Sequence, residues 1–441
     1  MRRIFEEENW IQRLLDVEAA LAWAHAEVGN IPRKDAETIM KMASTKYVKV
    51  SRIKEIEREI RHDIMSMVRA LAEVCGSSGA YVHLGATSYD IVDTARALQL
   101  RDALNIILRR LDDLELALMR AAERYKNTLM IGRTHGQHAL PITFGLKLAV
   151  WMREISRHIE RLRECKRRVV VGKMSGAVGT QAGLGPNALK IRSLVMERLG
   201  IGMAEVTTQI VQRDRHAELI CLLAIIGSTL DKMATEIREL QRTEIGEVFE
   251  PFRRGKQVGS STMPHKRNPE LCERICGLAK IMRSLVIPAL ENVPTWHERD
   301  LTQSSAERFI IPEACILIDY MIHLMTGIIS GLEVDEERML KNMGLTRGLI
   351  MSEAVMLALT RKGMSRQEAH ELLRRLAVKC RDEGITFKDA LMGEEAVRRL
   401  LSEEEIDEAL DPRKYLGTTV EQIDLAIEKT RDERRRRGLT E

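Results

Sequence analysis

The stretch that decides the fold is residues 216–240, HAELICLLAIIGSTLDKMATEIREL. Apolar residues recur in it at alternating steps of four and three positions, at Leu219, Leu223, Ile226, Leu230, Met233, Ile237 and Leu240. This spacing places one continuous apolar stripe along a single side of an α-helix. The stretch therefore predicts a long helix that packs lengthwise against other helices.

The composition of the whole chain favours helices over strands. Aromatic residues make up 4% of the 441 residues, and there are only 10 prolines. The dominant residues are Ala, Leu, Met, Glu, Arg and Lys, which are strong helix formers. Further amphipathic stretches predict helices over residues 7–28, 35–43, 88–130, 144–171, 188–199, 270–290 and 304–330. We therefore expect an all-α fold built around a bundle of long helices.

The order of short and long helical stretches predicts three domains. The N-terminal domain, residues 1–84, contains short amphipathic helices. The central domain, residues 85–334, contains the long-helix bundle and a Gly- and Pro-rich loop over residues 255–269. The C-terminal domain, residues 335–441, returns to short helices. Because long helices expose more apolar surface than one neighbour covers, we expect an oligomer.

Charge and hydropathy restrict the partners and the location. The chain has 69 basic and 65 acidic residues and a net charge of +4, so we expect no nucleic-acid partner. The arginines at 434–437 are interpreted as a solvated, frayed tail. The charged N-terminus lacks the apolar stretch of a signal peptide, and no segment approaches the roughly 20 apolar residues of a membrane span. We expect a cytoplasmic protein without a membrane partner.

The cysteines indicate neither disulfides nor a metal site. There are seven of them, scattered along the chain without a paired CxxC spacing. Cys272 and Cys276 are four positions apart and could share a helix face, but two thiols alone make a poor zinc site. We interpret both as core residues and expect neither a metal nor another cofactor.

The clearest candidate for chemistry is residues 259–269, Gly-Ser-Ser-Thr-Met-Pro-His-Lys-Arg-Asn-Pro. The run combines hydroxyls, an imidazole and cations with residues that break regular structure. Gly-Ser-Ser alone is a common turn, and a Ser-rich loop near Lys and Arg is often only a solvated surface. The whole string nevertheless favours a mobile loop that carries cations and a nucleophile or base.

Four other polar islands interrupt the helical pattern. They cover residues 61–63 with 81–90, 132–145, 172–180 and 296–308. In the first island, Thr87 and Ser88 could simply cap a helix, and His83 could be structural. In the second, His135 and His138 suit acid/base work better than metal binding, because no nearby carboxylate completes a ligand set.

The other two islands have both functional and ordinary interpretations. Residues 172–180 could hold an anion through backbone N–H groups, or could form an ordinary turn between helices. Arg299 and Arg308 could hold a carboxylate or phosphate bidentately, or could belong to a surface ion-pair network. The sequence alone leaves both alternatives open.

Taken together, the islands resemble the fumarase/aspartase superfamily, whose signature is similar to residues 259–269. Within it, the resemblance is to the adenylosuccinate lyase family, at the strings TSYDIVDTA (87–95), RTHGQHA (133–139), QRDRHAE (212–218) and NVPTWHERD (292–300). The family implies a homotetramer with a 20-helix core and active sites shared between subunits. It also implies two substrates in purine biosynthesis. Adenylosuccinate is cleaved to AMP and fumarate, and succinylaminoimidazole-carboxamide ribotide is cleaved to AICAR and fumarate.

The resemblance further implies the roles of individual residues. Ser260 is the base, His135 is the general acid, and Glu273 orients His135. The catalytic set is completed by His62 and His83. Succinyl carboxylates and the nucleotide are bound by Lys266, Asn268, Arg61, His62, Asp63, Thr87, Ser88, Gln209, Arg299, Ser304 and Arg308. A serine base needs a lowered pKa, for which Lys266 and backbone N–H groups of the loop are candidate causes.

Two rival functions remain on the sequence. A 3-carboxymuconate cycloisomerase has a similar signature loop, but it has no amine to protonate and no nucleotide phosphate to hold. A non-catalytic structural protein of the same fold would have no need for both Ser260 and His135. Both rivals are therefore weaker than a lyase.

Overall fold

The computed structural model describes residues 1–252 and 255–440, and helices account for most of this part of the chain. The α-helices among these residues are α1 Glu7–Glu27, α2 Arg33–Met42, α3 Val50–Ile60, α4 Asp63–Cys75, α5 Ser88–Arg124, α6 Phe144–Val169, α7 Ala188–Leu199, α8 Asp214–Leu240, α9 Glu270–Ser284, α10 Val286–Glu291, α11 Thr302–Ser330, α12 Glu336–Met343, α13 Ser352–Arg361, α14 Arg366–Glu383, α15 Phe387–Gly393, α16 Glu395–Arg398, α17 Glu403–Leu410 and α18 Thr419–Arg436. The prediction of an all-α fold is confirmed.

Short strands supplement the helices. They are β1 Leu129–Thr134, β2 Gln137–Thr143, β3 Val171–Gly172, β4 Gly202–Met203, β5 Val248–Phe249 and β6 Glu333–Val334. β1 and β2 form an antiparallel hairpin, β3 pairs with β4 in parallel, and β5 pairs with β6 antiparallel. The sequence predicted only a break between helices where the hairpin stands.

The long helices form where the apolar periodicity predicts them. Every residue of the apolar stripe in α8 is at most 2% exposed. α5 ends at Arg124 rather than near residue 130, because β1 begins at Leu129. The stretch predicted as one helix over 270–290 divides into α9 and α10. Pro288 lacks the N–H that would bond to the carbonyl of Ser284, so the α9 ladder has no continuation there.

The chain divides into two compact units, each built from three separate stretches. Unit one comprises Met1–Asp112, Arg157–Leu230 and Gly277–His323. Unit two comprises Asp113–Ser156, Asp231–Cys276 and Leu324–Glu441. The division into three domains at residues 84 and 334 stays a prediction.

Each unit has its own apolar core. In unit one, α1, α2, α3, α4, α7 and the start of α5 bury one continuous cluster that includes Leu15, Leu71 and Ile191. In unit two, α13, α14, α15 and α17 bury a cluster around Phe387. A smaller cluster of unit two packs Ile131 of the β1/β2 hairpin against residues of α12 and α13 and of the turn between them.

One helix of the described residues, α11, is long and apolar enough to cross a membrane by length and composition. Its most apolar 18-residue window has a mean hydropathy of 1.5, and 50% of that window is buried inside the protein. Our expectation that no segment would reach this composition is wrong for α11. The bent pair Glu336–Thr346 and Leu349–Arg361 also meets the criterion when taken together. Core helices that never meet lipid pass the same test, so this composition is weak evidence for a span.

The C-terminal arginines do not form the frayed tail that the sequence predicted. α18 continues to Arg436, and its buried side presents Ile423, Ile427, Thr430 and Arg434 at helical spacing. Arg434 and Arg437 both pair with Glu115 on α5, which is fully buried. Ser156 adds a hydrogen bond of 2.6 Å to the same carboxylate. These contacts, all within unit two, fix the end of α18.

The buried carboxylate of Glu115 should be essential for stability. Glu115→Gln keeps the volume of the side chain but removes the buried negative charge with which Arg434 and Arg437 both pair, so we expect a loss of about 3–5 kcal/mol in the free energy of unfolding. Glu123→Gln is the control, since Glu123 pairs with Arg431 at 3.2 Å but is half exposed. Its loss should stay below about 1 kcal/mol in denaturant titrations. Equal losses in the two variants would contradict the buried ion cluster.

Candidate active site

The signature loop lies in unit two and is anchored at its C-terminal end. Arg267 pairs with Glu333 at 2.9 Å and lies over the Phe252 ring. Glu250 accepts hydrogen bonds from the Leu271 and Cys272 N–H groups and so caps α9 directly after the loop. Burial raises the pKa of Glu250 despite these bonds. The polar residues between Gly259 and Arg267 are largely exposed.

The hydroxyl of Ser260 accepts hydrogen bonds from two backbone N–H groups. Its Oγ accepts the N–H of Thr262 at 3.3 Å and that of Met263 at 3.1 Å. Asn268 donates to the Gly259 carbonyl at 2.9 Å and closes the loop. A Cβ on Gly259 would lie 2.1 Å from the Lys266 carbonyl oxygen, so only glycine fits at this crossing. Two N–H donors aimed at Oγ favour negative charge on that oxygen, as a serine base requires.

His135 occupies the turn of the β1/β2 hairpin. His135 and Gly136 have φ values of 54° and 72°, the left-handed geometry of a two-residue hairpin turn. A non-glycine residue in this conformation is uncommon, although histidine adopts it more readily than most residues do. The side chain is exposed at the tip of the hairpin.

The β1/β2 hairpin is fixed by a buried ion pair between Arg133 and Glu247. Arg133 of β1 donates two hydrogen bonds, of 2.8 and 2.6 Å, to the carboxylate of Glu247. Asn342 of α12 donates to the same carboxylate at 2.8 Å. In contrast, Glu273 in the first turn of α9 forms no hydrogen bond to His135 in the described part of the chain, so its orienting role stays a prediction.

His138 differs from His135 in its surroundings. Burial lowers the pKa of His138, and the charge of Arg133 lowers it further. Its Nδ1 is buried without a hydrogen-bond partner among residues 1–252 and 255–440. His138 is therefore partly buried in the hairpin, whereas the side chain of His135 is exposed.

Most of the predicted nucleotide-binding residues line one cavity of about 800 Å³ in unit one. Those that line it are Arg61, His62, Asp63, Ser88, Arg299, Ser304 and Arg308. Thr87 precedes Ser88 at the start of α5, and Gln209 accepts a 2.7 Å hydrogen bond from Arg299. The structure thus brings together residues that lie up to 247 positions apart in the sequence.

Short segments between helices present these side chains. Arg61 ends α3 with a φ of 54°, and the Nδ1 of His62 accepts the N–H of Met65 to cap α4. Asp63 accepts a long, 3.4 Å bond from Arg308. Ser304 and Arg308 are one turn apart on α11 and so share a face of that helix.

His83 is held from behind by α1. It has a φ of 63°, and its Nδ1 lies 2.6 Å from Oε1 of the fully buried Glu18. His25, also on α1, hydrogen-bonds the adjacent Leu84 carbonyl at 2.9 Å. Burial by itself lowers the pKa of His83, but the Glu18 carboxylate outweighs burial and the pKa is raised overall. Glu18 therefore stabilises the protonated form of His83.

The glycine-rich island at 172–180 does bind an anion, but the anion is a side chain of the protein. The fully buried Asp90 carboxylate accepts the Lys173 ammonium, the Ser175 N–H at 2.8 Å and the Gly176 N–H at 3.1 Å. It also accepts the N–H of Thr87 at 2.9 Å. The N–H groups of Ser175 and Gly176 are thus occupied within unit one.

A second buried cluster lies at the wall of the cavity. Arg213 donates to Asp93 at 2.8 and 2.9 Å and to Glu307 at 2.8 and 3.0 Å. His216 lies 3.1 Å from Glu307. Burial raises the pKa of Glu307, but the hydrogen bond to His216 and the charge of Arg213 outweigh it and hold the pKa at about 2. Asp93 and Glu307 both line the cavity.

Sequence reasoning missed three contributors to the cavity. Tyr89 and Arg96 line it from α5, and Trp10 lines it from α1. Arg96 lies over the Trp10 ring at 4.7 Å, and its pKa is lowered by burial. Tyr89 lies within the string 87–95, but its position in the sequence pattern is like that of any core residue of a helix. Only the fold could reveal that it faces the cavity.

Comparisons with known proteins identify the family of the chain. Residues 1–282 match the sequence profile of the family described as Lyase, and residues 348–426 match that of Adenylosuccinate lyase C-terminus. The adenylosuccinate lyase of Pyrococcus abyssi is 54% identical over 439 residues, which are 100% of this chain and 97% of that protein.

Solved structures share the fold over nearly the whole chain. A fumarate lyase from Mesorhizobium sp. BNC1 has a TM-score of 0.90 and 34% identity, and the match covers 97% of each chain. The 3-carboxy-cis,cis-muconate lactonizing enzyme from Pseudomonas putida has a TM-score of 0.89 and 35% identity over 98% of this chain and 96% of that one. The helical fold and its signature loop thus define a lyase of the fumarate lyase superfamily. The relative from P. abyssi, which matches over the whole chain, and the C-terminal profile both carry the name adenylosuccinate lyase. The chain therefore belongs to the adenylosuccinate lyase family.

The pair of His83 and Glu18 predicts a pH-dependent stability. Because the folded pKa of His83 is raised, its contribution is fully present below the unfolded pKa of about 6.5 and is lost as the pH rises through the folded pKa. The excess unfolding free energy of the wild type over Glu18→Gln should therefore shrink as the pH rises above about 6.5.

Denaturant titrations at several pH values measure this difference. Glu27→Gln is the control, since Glu27 ends the same helix and is exposed. Its difference from the wild type should not change over the same range. A gap for Glu18→Gln that stays constant or widens with pH would refute the charged pair.

Proposed function

We propose that the protein eliminates fumarate from adenylosuccinate to give AMP, and from succinylaminoimidazole-carboxamide ribotide to give AICAR, in purine biosynthesis. The observation that carries this function is the 54% identity to an adenylosuccinate lyase over the whole chain. The cavity of unit one supports it, because several cations and hydroxyl groups line that cavity and suit an anionic nucleotide.

In the proposed reaction, Ser260 removes the proton α to a succinyl carboxylate. The Thr262 and Met263 N–H groups support the negative charge that Oγ must carry to act as a base. The electron pair left on carbon forms the double bond of fumarate as the C–N bond breaks. His135 donates a proton to the departing nitrogen, and Glu273 orients His135. No cofactor takes part.

The binding roles are also those that the resemblance to the family implies. Lys266 and Asn268 meet the succinyl carboxylates, where they stabilise the charge that develops during proton removal. His62 and His83 complete the catalytic set. The nucleotide and its phosphate are held by Arg61, Asp63, Thr87, Ser88, Gln209, Arg299, Ser304 and Arg308.

The second candidate function is cycloisomerisation of 3-carboxymuconate, because the lactonizing enzyme has nearly the same fold. Its identity to this chain is 35%, against 54% for the adenylosuccinate lyase of P. abyssi. The C-terminal profile match also favours adenylosuccinate. Cycloisomerisation is therefore the weaker candidate, and a non-catalytic role is weaker still.

We propose a homotetramer in the cytoplasm as the active form, with a 20-helix core and sites that combine residues of different subunits. Large apolar side chains of unit one support an oligomer, since Ile225, Ile281 and Ile287 are 51%, 49% and 63% exposed. Exposed apolar residues on long helices are typical of subunit interfaces.

Substrate selectivity tests the function directly. Purified protein should release fumarate from adenylosuccinate, followed by absorbance, and leave argininosuccinate, aspartate and 3-carboxymuconate unchanged. A chain that cyclises 3-carboxymuconate, or cleaves argininosuccinate faster than adenylosuccinate, would contradict the proposed substrate while leaving the superfamily in place.

The two proton-transfer residues can be tested by removal. Ser260→Ala and His135→Ala should each lower kcat by at least about a hundredfold, because each removes one proton-transfer group. Ser261→Ala is the matched control beside Ser260 and should retain kcat within about threefold. Circular dichroism checks that the variants are folded. Near-normal turnover in either variant would exclude that residue from the mechanism.

The same two inactive variants test the shared site. After subunit exchange, a mixture should regain part of the wild-type activity, because some sites then combine wild-type Ser260 from one subunit with wild-type His135 from another. Mass spectrometry of the intact protein shows whether mixed tetramers have formed. Mixed tetramers without activity would refute sites shared between subunits.

A further inference from the structure

Two guanidinium groups lie over the ring of Tyr89 in unit one. The Cζ of Arg299 is 3.8 Å from the ring centroid, and that of Arg213 is 5.9 Å away. Tyr89 is 6% exposed and lines the cavity. An arginine this close to an aromatic face is attracted by the ring quadrupole, and more strongly where water is excluded. Tyr89 is therefore in a position to hold Arg299 in place.

The two arginines differ in how their charge is balanced. Arg213 is neutralised by Asp93 and Glu307, so its approach to the ring adds little repulsion against Arg299. Arg299 forms no ion pair with a carboxylate among residues 1–252 and 255–440. The positive charge of Arg299 thus remains available to an anionic ligand of the cavity.

The hydrogen bonds of Arg299 leave one edge of the guanidinium open. Its Nη1 donates to Gln209 at 2.7 Å, and Gln209 in turn donates to the Ala177 carbonyl at 2.7 Å. Nε is buried and has no hydrogen-bond partner in the described residues. Nη2 has no partner there either, but it is not among the buried atoms. The open Nη2 edge is the part that a ligand can reach.

We propose that Tyr89 is a positioning residue, which holds the Arg299 guanidinium against its ring so that Nη2 meets an anionic group of the nucleotide. The proposal rests on the proposed function for the identity of that ligand. The ring provides the contact, and the hydroxyl is dispensable, because the described residues give it no hydrogen-bond partner. Tyr89 thereby affects binding of the substrate rather than proton transfer.

Three variants separate the ring from the hydroxyl and from general packing. Tyr89→Leu should raise KM for adenylosuccinate about tenfold, because the cation–π contact is lost. Its kcat should remain within about twofold, since binding of the anion is equal in ground and transition states. Tyr89→Phe should restore KM to within about twofold of the wild type. Tyr125→Leu is the matched packing control, since Tyr125 is equally buried beneath Arg124 but lies in unit two.

A double-mutant cycle tests whether Tyr89 acts through Arg299. In an Arg299→Met background, Tyr89→Leu should produce no further rise in KM. Should Tyr89→Leu fail to fold, fluorinated phenylalanines at position 89 keep the shape of the ring while weakening its quadrupole. KM should then rise stepwise with the number of fluorine atoms.

The outcomes distinguish the two proposals. A wild type that releases no fumarate from adenylosuccinate would overturn the proposed function. An active wild type with equal KM values for Tyr89→Leu and Tyr89→Phe, or for the whole fluorinated series, would overturn the role of Tyr89 alone. An equal KM rise in Tyr125→Leu would show that the effect comes from packing and would also overturn it.

Discussion

The start of α5 is fixed by two buried carboxylates, and the cavity depends on both. Asp90 accepts the N–H of Thr87, the Lys173 ammonium and the backbone N–H groups of the turn after β3. Asp93, three residues later, accepts the Val211 N–H and the Arg213 guanidinium. An unpaired buried charge costs several kcal/mol of stability. Each carboxylate therefore holds the distant segment that pairs with it in place. Ser88 and Tyr89 therefore reach the cavity wall in a single orientation.

The sequence predicts most of the fold and the composition of the site, because local patterns encode both. The apolar stripe of α8 defines its buried face without knowledge of any partner. Polar islands marked the breaks between helices, and the non-glycine residues with positive φ include Arg61, His83, His135 and His297 from those islands. Arg61, His83 and His135 are predicted site residues, and left-handed backbone of this kind is often found at functional sites.

Features that depend on distant partners could not be predicted. The arginines of α18 appear solvated in sequence, and their burial becomes visible only with Glu115, which is 319 positions before Arg434. The β1/β2 hairpin escaped prediction because its turn carries His135-Gly136 rather than a typical Asn-Gly. The role of Tyr89 depends on Arg299, which lies far from it in the sequence. No local sequence pattern around Tyr89 therefore indicates this role.

The discontinuous construction of the two units has a consequence for how the chain is made. Unit one needs Gly277–His323, and unit two needs residues from Leu324 onward. During synthesis the N-terminal helices leave the ribosome long before either closing segment exists. Unit one cannot complete its core before His323 has been made, and unit two cannot do so before the C-terminal helices exist, so large loops must close late, which slows folding. For the same reason, no uninterrupted fragment of the chain consists of one unit alone, so cutting the protein in two would not yield two independent folding bodies.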